Sequence, residues 1–184
     1  MKKPTARSSM QITAAVSLAA GIIFTILNKF LPNLFFMSLK ITSYTVFYHF
    51  AVRLLIGGIM QAAFRNKMNY RKPWFQPKAF EAGLYKRLGV KKWKNKMPTY
   101  NPDTFSLEKH STEEILGASC QAEIVHEINV IASFVPLLFS LAVGVLPVFL
   151  ITSLIAAALD MIFVIIQRYN RPRLLRLIKR ETGE

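Results

Sequence analysis

The chain reads as an all-α integral membrane protein: four transmembrane helices in two hairpins, with an amphipathic helix at the cytoplasmic interface between them. Three observations lead there. Hydrophobic residues make up 52% of the 184 residues and charged ones only 18%, yet the formal net charge is +14, so apolar and basic residues must be segregated. The apolar residues gather into four runs, at about 12–31, 34–60, 124–143 and 145–166. Each is near the ~20 residues that cross a ~30 Å hydrocarbon layer. All the basic residues but Lys29, Lys40 and Arg53 fall into three blocks outside those runs. A disordered chain is excluded because this one is too apolar. A disulfide scaffold is excluded because Cys120 is the one cysteine. A soluble nucleic-acid binder with this net charge would carry more charge in total, so no nucleic-acid partner is expected.

The first run follows MKKPTARSSM, which carries Lys2, Lys3 and Arg7. A secretory signal has a shorter apolar stretch, and a second span follows at once, so the first is expected to be a retained helix. The segment 61–120 carries twelve basic residues against five acids, and the tail 167–184 carries Arg168, Arg171, Arg173, Arg176, Lys179 and Arg180. The turn near Pro32 has Lys29 beside it, and the LAVGVLP turn has no charge. The positive-inside rule then places both termini and the central segment in the cytoplasm. Residues 1–184 form a single multi-pass domain of the cell membrane on this reading. Within the central segment, residues 74–96 mix Trp74, Phe75, Phe80, Leu84, Tyr85, Leu88, Val90 and Trp93 with seven lysines and arginines. Phe80, Leu84 and Leu88 recur at helical spacing. Such a stretch suits the headgroup layer, its cations facing anionic lipid.

Ionisable groups inside spans are costly, so each marks a candidate site. His49 and Arg53 lie four apart on one helix face. The third run opens with AEIVHEI, where Glu123, His126 and Glu127 share a face. Asp160 precedes the polar tail by seven residues. At ~1.5 Å rise per residue, His49, His126 and Asp160 fall near the inner interface, and four packed spans are expected to gather them around a cavity open to the cytoplasm. A helical Glu-x-x-His pair has three readings. A carboxylate di-metal site needs the motif twice and two further glutamates; one copy is present, so no metal site is expected. A carboxylate can instead orient an imidazole that takes a proton from a hydroxyl. The pair can also be purely structural, and the residues alone leave these last two open.

The tail begins QRYNRPRLLRLIKR, with Arg168, Tyr169, Asn170, Arg171 and Arg173 close together. Pro172 disfavours helical geometry at Arg171, so a bend is expected there. A bent arginine-rich segment at a membrane surface suits a phosphate or carboxylate ligand; the plainer reading is a stop-transfer cluster.

That segment, as IIQRYNRPRLLRLIKR, closely resembles the C-terminal signature of the glycosyl-4,4'-diaponeurosporenoate acyltransferase family. AEIVHEI and the stretch ending in KKWKNKMP resemble two further blocks in the same order, so the resemblance covers the chain from Trp74 onward. It implies a membrane-bound enzyme that esterifies a sugar hydroxyl of a glycosylated C30 carotenoid, or of another glycolipid, with a fatty acyl group. It implies an acyl thioester donor, on coenzyme A or a carrier protein, and no resident cofactor. On this reading His126 is the general base and Glu123 holds its tautomer. Arg168, Tyr169, Asn170, Arg171, Arg173, Glu127, Asp160, His49 and Arg53 contact substrate. An acyl-cysteine at Cys120 is an alternative route. Two other readings stand beside it: a small membrane methyltransferase- or reductase-like enzyme, and a non-enzymatic lipid-binding or assembly protein.

Overall fold

A computed structural model describes residues 6–98 and 102–183; Lys2, Lys3 and Glu184 lie outside the described residues. All regular structure among these residues is helical: α1 (Ala6–Phe30), α2 (Leu34–Phe64), α3 (Glu81–Arg87), α4 (Val90–Trp93), α5 (Thr112–Ala132), α6 (Pro136–Val143) and α7 (Leu146–Thr182). Single 3₁₀ turns lie at Pro73–Phe75, Lys94–Lys96 and Pro102–Phe105. Four stretches are long and apolar enough to cross a membrane: α1, α2, Thr112–Val143 and α7. Two compact units divide the chain, Met1–Gly57 with Ile128–Asp160, and Gly58–Glu127 with Met161–Glu184.

In the first unit, α1 buries a stripe of small residues, Ala14, Ser17 and Gly21. A Cβ at Gly21 would stand 2.9 Å from the Tyr44 ring of α2, and Thr25 Oγ1 lies 3.1 Å from the Tyr44 hydroxyl. Small residues let helices in a bilayer approach this closely. On α1, Ile12, Val16, Ile22, Ile23 and Ile26 are exposed, an apolar surface of the kind that meets lipid.

The apolar run after α5 is interrupted at residues 133–135. Pro136 has no N–H to offer the Ala132 carbonyl four residues back. Two other donors serve that carbonyl, Val135 N at 3.2 Å and the Tyr48 hydroxyl of α2 at 2.9 Å. A freed backbone group among apolar spans must find such a substitute. The turn into α7 uses Gly144 and Val145, both at positive φ.

The second unit has its own apolar core of Tyr70, Phe75, Leu116 and Cys120, with Met68, Ile124, Leu174, Leu175 and Ile178 packed around it. The loop after α2 crosses α5 at Gly117, where a Cβ would stand 2.9 Å from the Asn66 carbonyl oxygen. Gln121 fixes the loop by accepting from Asn66 N at 2.8 Å and donating to Gln61 at 3.0 Å.

Three features differ from the expectations above. Helix α5 starts at Thr112, well before the apolar run at 124. Ser111 and Glu114 form a capping box, Glu114 N donating to Ser111 Oγ and Ser111 N to Glu114 Oε2, which starts the helix in the polar segment. Residues 74–96 are not one helix. Pro77 and the left-handed Gly89 cut them into short pieces. The same segment buries Phe75, Tyr85 and Val90 and exposes Trp74, Phe80, Leu84 and Leu88. Third, the helix runs unbroken through Pro172, so the bend expected there does not end it. Arg168 and Arg171 on one side, and Leu174, Leu175 and Ile178 on the other, are all held by tertiary contacts. These override the local preference.

Candidate active site

The second unit centres on two carboxylates and two guanidiniums. Glu123 on α5 is fully buried. Its Oε1 accepts from Arg168 Nη1 at 2.6 Å, and its Oε2 pairs with Arg171 Nη2. Arg168 also donates from Nε to Glu81 Oε1 at 2.7 Å. The two arginines hold three successive carbonyls of the segment before α3. Arg168 donates to Trp74 O at 3.2 Å and Gln76 O at 3.4 Å, and Arg171 to Phe75 O at 3.1 Å. The Arg171 guanidinium also lies 5.2 Å from the Phe75 ring centre. The formal charges of Glu81, Glu123, Arg168 and Arg171 cancel. A buried charge is tolerated only with this kind of pairing and hydrogen bonding.

A second group lies on the same stretch of α7. Tyr169 meets Tyr85 edge-on at 5.7 Å, and Lys94 Nζ sits 5.1 Å from the Tyr169 ring centre. Lys94 also donates to Asn170 Oδ1 at 2.7 Å. Burial, with Arg173 nearby, holds the Lys94 pKa below its usual value. Burial first, then the Glu81 charge, pushes the Tyr85 phenol up to about 12, against the opposing pull of Arg168. His126 stacks on Phe163, ring centres 4.8 Å apart and planes 16° from parallel. Glu127 accepts from Trp74 Nε1 at 3.1 Å. Arg173, Lys86, Arg87, Lys91, Lys92 and Lys96 are exposed.

In the first unit, Arg53 gathers groups from α2, α7 and the turn that follows α5. Its Nη1 donates to His49 O at 2.6 Å. Its Nη2 donates to Ala156 O at 2.9 Å and Ser133 Oγ at 3.4 Å and closes an ion pair with Asp160. His49, Arg53 and Asp160 are thus brought together within this unit, and His126 belongs to the second unit.

The geometry separates the arginines of the tail by what they touch. Arg168 and Arg171 have internal carboxylates and carbonyls as partners, whereas Arg173 faces outward. Both oxygens of Glu123 are engaged by arginine. Cys120 is fully buried in the apolar core. Among the described residues no group of three His, Cys, Asp or Glu side chains is placed to hold a metal ion. Glu81 was not singled out by the sequence reading. The signal was present, since Glu81 is the one acid among the seven cations of residues 74–96.

Residues 71–180, more than half of the chain, match the family model of glycosyl-4,4'-diaponeurosporenoate acyltransferase. No curated protein and no solved structure matches the chain.

Proposed function

Since the chain belongs to the glycosyl-4,4'-diaponeurosporenoate acyltransferase family, we propose that it is a membrane O-acyltransferase that moves a fatty acyl group from a thioester to a sugar hydroxyl of a glycolipid or glycosylated carotenoid. The observation that carries this reading is the extent of the family match. It contains Glu81, Glu123, Arg168 and Arg171, the whole of the buried charge assembly, together with Trp74–Gln76, Lys94, His126 and Tyr169–Asn170.

In this reading the four buried charges are positioning groups. They pin the Trp74–Gln76 segment against α7 and so fix where Tyr169, Asn170 and Arg173 stand. His126 is the general base. The acceptor hydroxyl attacks the thioester carbonyl carbon, its proton passing to an imidazole nitrogen of His126. The tetrahedral intermediate then collapses, the C–S bond breaks, and the thiolate leaves with that proton. Phe163 keeps the imidazole in one plane. The donor is a substrate, coenzyme A or carrier-protein thioester, and no resident cofactor is required. Its phosphates meet Arg173 and the exposed Lys86–Lys96 cations, which suits a cytoplasmic approach with both termini on the same side. Trp74, Phe80, Leu84 and Leu88 enter the headgroup layer, an arrangement favoured where aromatic and basic residues alternate.

The test is lipid mass spectrometry on cells with and without the protein, followed by purified protein with an acyl thioester. The expected result is a lipid heavier by one fatty acyl group that forms only with the intact protein. A lipid profile that does not change, with no thioester consumed in vitro, overturns the assignment.

A further inference from the structure

Arg65, Asn66 and Lys67 leave the end of α2 in a tight turn. Arg65 and Asn66 have φ of 48° and 63°, a region that a residue with a side chain keeps only where its surroundings hold it. Three bonds hold this turn. Arg65 N donates to Gln61 O at 3.0 Å and Lys67 N to Phe64 O at 2.8 Å, and Asn66 N donates to Gln121 Oε1 on α5 at 2.8 Å. The turn brings two cations to one cavity of about 180 Å³ in the second unit, with Thr104, His110 and Glu114 around the rest of it. The cavity shares no residue with the assembly of Glu81, Glu123, Arg168 and Arg171. Arg65, Asn66 and Lys67 also precede the stretch that matches the family model, residues 71–180.

The charges around the cavity do not balance. Glu114 is the one acid of the lining and is already engaged. Its Oε2 accepts from Ser111 N at 3.0 Å and lies 3.5 Å from His110 Nδ1. Lys109 and Asp103, next in the chain to His110 and Thr104, pair with each other at 2.7 Å. Among the described residues the Arg65 and Lys67 side chains make no hydrogen bond or ion pair. Like charges gathered around one small space repel, and an anion between them removes that repulsion. Guanidinium and ammonium both bind phosphate, the first as a two-pronged donor and the second as a point charge. The Thr104 hydroxyl and the Asn66 amide add donors from other sides. That arrangement suits a tetrahedral group with oxygens in several directions better than a planar carboxylate. The volume agrees. It is far above the ~10–15 Å³ that one water needs and below the ~300–1,000 Å³ of sites that enclose a whole small molecule.

We propose that the cavity at the end of α2 binds a phosphate group, carried by an anionic membrane lipid or by a soluble compound. Helix α2 is long and apolar enough to cross a membrane, and its last turns expose Ile59 and Phe64. The cavity therefore lies where an apolar span ends, at the depth of lipid phosphates. The site stands apart from acyl transfer, and its test uses no thioester.

The full chain is held in dodecyl maltoside micelles in phosphate-free buffer, and its thermal unfolding midpoint is read. One arm titrates inorganic phosphate against chloride at matched ionic strength. The other adds phosphatidic acid, or dioleoylglycerol succinate as an anionic lipid without phosphate. Phosphate is expected to raise the wild-type midpoint and chloride to leave it in place, or phosphatidic acid to raise it more than the succinate lipid. A response to phosphatidic acid alone makes the source a lipid, and a response to inorganic phosphate alone makes it soluble; either upholds the site. Arg65→Gln with Lys67→Gln should lose most of the shift. Lys179→Gln with Arg180→Gln, which removes two exposed cations elsewhere, should keep it. Glu114→Gln keeps a side chain able to cap α5 and removes the acid of the lining, so its half-maximal shift should come at severalfold lower ligand. This variant also decides the matter should the Arg65 and Lys67 substitutions lower the ligand-free midpoint. Three results overturn the proposal: no phosphate-specific shift in either arm, an equal loss of the shift in the Lys179 and Arg180 variant, or a Glu114→Gln protein that responds no better than wild type.

Discussion

Arg171 and Glu123 form an ion pair in which the two side chains are 2% and 0% exposed. A pair this deep is weak evidence for stability, since desolvation offsets the attraction, but breaking it leaves a charge without a counter-charge. Glu123→Gln and Arg171→Met should each destabilise the protein by ~3–5 kcal/mol. The double variant Glu123→Leu with Arg171→Met leaves Arg168 with Glu81, one charge against one. It should recover most of the loss. Unfolding midpoints in lipid nanodiscs check this, and a double variant as unstable as the sum of the singles contradicts it.

The exposed cations and Lys94 should behave differently on substitution. Lys91, Lys92 and Lys96 face solvent. Replacing these three with Gln should raise the apparent KM for a phosphorylated thioester, more at low salt, where the Debye length is longest. Lys94→Gln removes the contact to Asn170 and the cation over Tyr169, so its effect should be nearly independent of salt. Initial rates across a salt series separate the two behaviours.

Much of the framework was legible in the sequence, for stated reasons. The four apolar runs follow from hydropathy alone, which acts through length. The ends of the helices did not. Thr112 starts α5 because Ser111 and Glu114 cap each other, a local S-x-x-E signal that the apolar periodicity of residues 124–143 overshadowed. Pro172 was read by its own preference, yet the contacts of Arg168, Arg171, Leu174 and Leu175 carry the helix past it. The candidate site was half legible. Residue type and spacing singled out Glu123, His126, Arg168 and Arg171. That two of these are partners of Glu123 depends on a contact across some 45 residues, which no helical periodicity encodes.

Tyr85 gives a pH dependence with a definite sign. Its phenol is pushed up to about 12 in the folded protein, against about 10 in an unfolded chain. The unfolded chain therefore loses this proton first. Stability from this group is fully present below pH ~10 and is lost as pH rises from there towards 12. Wild type should lose stability faster than Tyr85→Phe across that interval, and the two should run parallel below it. Denaturant unfolding at stepped pH reads the difference, which cancels the lysines common to both proteins. Parallel curves up to pH 12 would show that Tyr85 titrates normally.

His126 is half-buried on α5 and stacked on Phe163, a setting that fixes a ring plane. A general base contributes typically 10²–10⁴-fold to a rate. His126→Ala should lower kcat by about that much, with insertion and the unfolding midpoint near wild type, because the buried charges of Glu81, Glu123, Arg168 and Arg171 remain paired. Glu123→Gln should act on a different quantity. Its carboxylate serves the two arginines, so the loss should appear first in stability and only then in turnover. Combining the two substitutions separates the roles. If they act independently, their rate losses multiply and the midpoint follows Glu123→Gln alone. If Glu123 also holds the His126 tautomer, the double variant is little slower than His126→Ala, since groups that act as one unit are non-additive. A His126→Ala protein with near-normal turnover removes His126 from the reaction altogether. His49, the other buried imidazole of the spans, is then the residue to replace next.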